Sequence, residues 1–224
     1  MVRDNIRICA SIVGNDLEAV KKVGPLVDMF ELRIDLIGGD WRQMVAHLEK
    51  PWIACNRRVE EDGRWQGSEP DRIDELLSAV GLGAAIVDIE LATPGVEGIV
   101  GEIKGKAECL LSYHNLRETP TLESMRQIVS NQLAAGAGIC KVVTTAQNFT
   151  DNISVLQLIS DFPESRIISF AMGSLGHISR ILCPLAGGYL TYASIEEGRE
   201  SAPGQITVRD LTQIYEKVMV HNTH

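Results

Sequence analysis

Apolar positions fall in eight short bursts separated by longer stretches of mixed pattern. The bursts are IRICASIV (6–13), VDMFELRI (27–34), WIACNR (52–57), AIVDIEL (85–91), AECLLSY (107–113), ICKVVTT (139–145), RIISFAM (166–172) and GYLTYA (188–193). Their length and their richness in β-branched and aromatic residues predict strands. Between them DLEAVKKVGPL, DWRQMVAHLEK, DRIDELLSAVGL, TLESMRQIVSNQLAAG and NFTDNISVLQLISDF repeat apolar residues every three or four positions. That spacing predicts helices, with caps at Asp16, Asp40, Thr121 and, before VRDLTQIYEKVMV, Thr207. The segment 94–105 is rich in glycine and is read as a further helix. No linker or low-complexity stretch divides the 224 residues.

Strands that alternate with helices pair in parallel through crossover connections. Eight such units fit a (β/α)8 barrel (a TIM barrel, class α/β) occupying residues 1–224 as one catalytic domain. A doubly wound open sheet is the rival, but no GxGxxG follows the first strand to support a dinucleotide site. A barrel gathers its chemistry at the C-terminal ends of its strands. Polar residues do collect there: Glu31, Arg33 and Asp35 after strand two, Asn56, Arg57 and Arg58 after strand three, and Asp88 and Glu90 on strand four. Strand five runs into Ser112, Tyr113 and His114, and the last strand leads to SAPGQ at 201–205.

Of the seven lysines only Lys141 lies inside an apolar strand. Burial and nearby cations (Arg33, Arg57 and Arg180 are candidates) would favour its neutral amine, which is the form that attacks a ketone to give an imine. The plainer account is a lysine that reaches the barrel mouth or pairs with Glu31 or Glu90. Of the five histidines, only His114 ends a barrel strand, where a general acid/base would act. Its plainer account is a cap for the next helix.

Formal net charge −9 disfavours nucleic acid and anionic membranes as partners. The charged N-terminus does not read as a signal peptide, and no run approaches the roughly 18 apolar residues of a membrane span. Five widely spaced cysteines (Cys9, Cys55, Cys109, Cys140 and Cys183), with no CxxC or Cys/His cluster, suit free thiols in a reducing cytoplasm rather than disulfides or a metal site.

Six segments then occur in order: ELRID (31–35), ACNRRVEEDG (54–63), SYHNLRETP (112–120), CKVVTTA (140–146), FAMGSLGHISR (170–180) and SAPGQ (201–205). Together they resemble type I 3-dehydroquinate dehydratase, the Schiff-base class of the shikimate pathway, over about residues 6–218. The resemblance implies that Lys141 forms an imine with the ketone of 3-dehydroquinate and that His114 is the general acid/base. It implies that Glu61, four residues after the substrate-binding Arg57, orients His114, with Arg58 and Glu60 as the second choice of register. The family's Glu-Gly-Gly is here Glu61-Asp62-Gly63. Glu31 and Arg33 match residues that hold substrate hydroxyls, and Arg180, Ser201 and Gln205 match the grip on the carboxylate. Met172 matches a methionine beside the substrate ring, and Phe170 replaces another. No metal or organic cofactor is implied, and a cytoplasmic homodimer is expected. A class I aldolase would share Lys141 but favour a phosphate site near the last strands; a barrel kept as a scaffold would show a broken catalytic set. The loop 194–205, charged and poor in apolar residues, is expected to act as a lid.

Overall fold

A computed structural model describes residues 6–219, so two of the five histidines, His221 and His224, lie outside the described residues. Each apolar burst contains or overlaps a strand: β1 (Ile8–Ile12), β2 (Met29–Arg33), β3 (Trp52–Cys55), β4 (Ile86–Glu90), β5 (Glu108–His114), β6 (Ile139–Thr145), β7 (Ile167–Met172) and β8 (Thr191–Ser194). A two-residue strand, β9 (Ile206–Thr207), lies beside β8. The helices are α1 (Leu17–Val23), α2 (Ile34–Ile37), α3 (Trp41–Val45), α4 (Glu69–Gly81), α5 (Val96–Ile103), α6 (Leu122–Ala134), α7 (Asp151–Asp161), α8 (His177–Leu185) and α9 (Val208–Val218).

All strand pairs are parallel, in the order β7-β6-β5-β4-β3-β2-β1-β8-β9, and the sheet curls into a (β/α)8 barrel. The ends of the curl meet between β7 and β8, where no ladder forms among the described residues. One backbone hydrogen bond, from the Tyr189 amide to the Ile167 carbonyl (2.8 Å), spans the seam near the start of β7. Further along, the rings of Phe170 on β7 and Tyr192 on β8 meet edge to face, with centroids 6.2 Å apart.

Alternation along each strand decides what the barrel holds. Cys9, Met29, Ile53, Ile86 and Leu110 belong to one buried cluster, while Ala10, Phe30, Ala54, Val87 and Leu111, one step along, pack with residues of the helices. One further step along the first set come Ser11, Glu31, Cys55, Asp88 and Ser112, all buried. An apolar floor therefore carries a polar layer above it.

Asp16, Thr121 and Thr207 each accept an amide hydrogen bond as N-caps. Asp40 does not. Its carboxylate instead accepts side-chain amides of Gln43 (3.3 Å) and Asn15 (3.4 Å), and α3 is a short five-residue helix where the pattern predicted a longer one. The 94–105 segment does form a helix, α5, its start left to Gly95 in the left-handed region at φ 71°.

Candidate active site

The ten residues given catalytic or substrate-binding roles by the resemblance line one cleft at the C-terminal end of the barrel. They come from six of the eight barrel strands and the loops that follow them, plus α8.

Lys141 sits in the β-branched run of β6, in register with Ser112 on one side and Ile168 on the other, so its side chain points into the barrel. Only 4% of its surface is exposed. Its Nζ donates to Asp88 Oδ2 (2.9 Å) and lies 3.7 Å from Glu31 Oε1 and 4.3 Å above the Tyr192 ring. The expected pairing with Glu31 is thus present but secondary. Glu90 is instead held by Arg57 and Arg72, both at 2.9 Å.

Asp88 is the hub, a role that sequence reasoning missed although it noted the residue, with Glu90, on strand four. Besides Lys141 it accepts from Arg57 Nη2 (2.7 Å) and Ser112 Oγ (2.6 Å). Burial alone would raise its pKa, but the charges of Arg57 and Lys141 outweigh burial and hold the carboxyl well below the usual carboxylate range. Arg57, Arg72 and Lys141 thus face Glu31, Asp88 and Glu90, three cations against three carboxylates inside the barrel. Such a network has a steep desolvation cost and survives only because each charge is paired. Glu31, Cys55 and Asp88 offer ligand atoms within 4.8 Å of one another, but the Lys141 ammonium already occupies the space a cation would take beside Glu31 and Asp88.

His114 ends β5. Glu61 Oε2 lies 2.7 Å from its Nδ1 and also accepts its backbone amide at 3.0 Å. Nδ1 is therefore engaged, while Nε2 has no hydrogen-bond partner among the described residues and is available to the cleft. Glu60 is exposed and pairs with Arg58 at 3.4 Å, so the register that brings Arg57 and Glu61 to the site is the one adopted. The loop tolerates the departure at Asp62 because aspartate enters the left-handed region more readily than most residues; here φ is 66°. Gly63 is a stricter requirement, since an added Cβ would lie 1.9 Å from the Arg57 carbonyl oxygen. Burial, reinforced by the charges of Glu90 and Asp88, raises the Glu61 pKa to about 7 against the opposing effects of Arg57 and the His114 amide. Burial and the cations Arg57 and Lys141 push His114 well below its ordinary value.

At the far wall Arg180 is buried without a carboxylate partner among the described residues, and burial lowers its pKa to about 10. The 195–205 loop reaches over from β8. Ser201 donates from its amide (2.7 Å) and hydroxyl (3.1 Å) to Gln205 Oε1, Gln205 Nε2 donates to Ser11 Oγ (3.2 Å), and Ser11 donates to Glu31 (2.8 Å). Arg33, expected to hold substrate, spends its guanidinium on Asp35 (2.9 and 2.8 Å) and on the Ser201 carbonyl (3.2 Å), so it clamps this loop.

The model of the family described as type I 3-dehydroquinase matches residues 8–221. The chain belongs to that family. It is thus an enzyme of the type I 3-dehydroquinate dehydratase class, a carbon–oxygen hydro-lyase. A 3-dehydroquinate dehydratase of Dehalococcoides mccartyi is 43% identical over 193 residues, covering 86% of this chain and 87% of the relative. Another from Methanothermobacter thermautotrophicus is 34% identical and covers 93% and 95%. The crystal structure of the 3-dehydroquinate dehydratase of Aquifex aeolicus superposes with a TM-score of 0.81 at 25% identity, covering 96% of this chain and all of that one. No helix among the described residues of this type I dehydroquinase is long and apolar enough to cross a membrane.

Proposed function

We propose that this dehydroquinase removes water from 3-dehydroquinate through an imine on Lys141, with His114 as the proton carrier. The observation that carries the reading is a buried lysine amine and a histidine with an open Nε2 lining the same cleft, the histidine braced on its other nitrogen by Glu61. The Lys141 ammonium gives up a proton and its amine attacks the C3 ketone; the carbonyl oxygen leaves as water, carrying that proton and a second one from the nitrogen, and the resulting iminium draws electrons from the adjacent C2–H bond. His114 Nε2 takes that proton, leaving an enamine. Collapse of the enamine expels the C1 hydroxyl, which leaves as water with the proton returned by His114. Hydrolysis of the conjugated iminium then frees 3-dehydroshikimate and Lys141. An ionised Glu61 keeps the proton of the imidazole on Nδ1, so the lone pair faces the substrate.

Arg180 holds the substrate carboxylate: a buried guanidinium with no acid beside it suits an anionic ligand, and its planar donors match a carboxylate in two places. Ser201 and Gln205 complete that grip from the loop. Glu31 meets the hydroxyls, Arg33 steadies the loop that carries Ser201, Arg57 bounds the site through Asp88 and Glu90, and Met172 packs against the ring. In this reading residues 1–224 form one catalytic domain of a cytoplasmic homodimer in the shikimate pathway, with no nucleic acid or membrane partner.

Borohydride added with substrate tests the mechanism. A single covalent adduct on the Lys141 peptide, absent in Lys141→Ala, is expected. An adduct on another lysine, or dehydration that persists in Lys141→Ala, rules the imine at Lys141 out.

A further inference from the structure

The buried cations of the cleft are balanced in two different ways. Arg57 and Lys141 meet carboxylates, whereas Arg180 meets a ring: its guanidinium carbon lies 4.5 Å from the centroid of Phe170. Among the described residues its Nη2 reaches only the Pro203 carbonyl, at 3.4 Å, and its Nε has no partner. Phe170 is in turn fixed by Tyr192, edge to face across the β7–β8 seam at 63°, and the face of Tyr192 lies under Lys141. Guanidinium, ring, ring and ammonium thus form one row along the part of the barrel wall that lacks strand pairing.

A ring and a carboxylate steady a guanidinium differently. A carboxylate at the position of Phe170 would take the N–H donors and cancel the charge. An aromatic face attracts the cation through its quadrupole, yet it accepts no strong in-plane hydrogen bond and carries no net charge. The donors of Arg180 therefore stay open for an incoming anion. We propose that Phe170 is a positioning residue, whose ring holds Arg180 in the orientation that receives the substrate's carboxylate while leaving its N–H donors free. This rests on the reading of Arg180 as the carboxylate site. Without the ring's attraction Arg180 spreads over other rotamers, and apparent affinity falls in proportion to the fraction still oriented. The loss can reach roughly thirtyfold, the scale of a desolvated cation–π contact. Proton transfer at Lys141 and His114 does not pass through Phe170, so turnover at saturation is spared.

The test replaces Phe170 with mono-, di- and trifluorophenylalanine, which weaken the ring's negative face with little change of shape. Binding is read by calorimetry with the substrate's 3-alcohol analogue, which keeps the carboxylate but has no ketone to form an imine. The dissociation constant should climb stepwise with fluorination, by roughly three- to thirtyfold in total, with kcat for the dehydration within about twofold of wild type. In an Arg180→Ala background the same series should be flat. A flat series in the wild-type background while Arg180→Ala alone weakens binding overturns the role of Phe170 and leaves the carboxylate site intact. Unchanged binding in Arg180→Ala overturns the carboxylate site itself, and the positioning role with it.

Discussion

Glu61→Gln should exchange activity for stability, in a way that depends on pH. The wild-type carboxyl is raised from 4.5 to about 7, chiefly by burial. Its folded-state pKa is the higher one, so the folded protein holds this proton more tightly than the unfolded chain does. Stability from this group is present in acid and is lost as pH rises from about 4.5 to about 7, after which the ionised carboxylate is a fixed cost. Glutamine keeps the shape and an acceptor for His114 but cannot titrate. The gap in unfolding free energy between variant and wild type should therefore move in the variant's favour by about 2.5 kcal/mol between pH 5 and pH 8, from a shift of about 2.5 units at 1.36 kcal/mol each with its lowest part below pH 5. A constant offset from altered hydrogen bonding cancels in that difference. Urea unfolding of both proteins at the two pH values measures it. The proton belongs to the Glu61–His114 pair as much as to either residue, so kcat/KM of the wild type should fall below an apparent pKa near 7 as Nε2 loses its free lone pair. Stability–pH curves that run parallel, within about 0.5 kcal/mol, would show that Glu61 is not the buried, raised carboxyl described.

His114→Ala should lose turnover by about 10²-fold or more and still give a borohydride-trapped adduct, read by intact mass; near wild-type turnover moves the proton transfer to another group. Asp88→Asn leaves Arg57 and Lys141 short of their shared buried charge and should cost about 3–5 kcal/mol of stability in urea unfolding. A cost under about 1 kcal/mol contradicts its place as the hub. Trapping substrate on Lys141 should slow hydrogen exchange across 196–206 with little change in α6. The charged middle of the loop is held by a few polar tethers, Arg199–Asp16 at 3.3 Å and Arg33 to Ser201 at 3.2 Å, while apolar packing is confined to Ile195 and Ala202. Equal exchange in free and trapped protein excludes a lid.

The sequence by itself determined what depends on neighbours along the chain. Strand and helix periods follow from side-chain direction over a few residues, so the eight strands of the barrel and most caps were legible. Lys141 was legible for the same reason, a charge with no local account inside an apolar strand, and so was the ordered set of motifs that marks the family. What each charge pairs with was not. Lys141 and Asp88 are 53 residues apart, Arg33 and Ser201 are 168 apart, and Gln205 and Ser11 are 194 apart. Nothing in the local pattern distinguishes Asp88 from Glu90, which face the same way on one strand; strand register and the reach of Arg57 make one the lysine's partner and the other not. Asp40 shows the same limit in reverse, a well-placed cap by pattern whose carboxylate finds side-chain donors instead. The seam between β7 and β8 was equally invisible, because barrel closure depends on the accumulated twist and stagger of all the strands. Only the folded chain brings Phe170 and Tyr192 together there, and with them the two cations they carry.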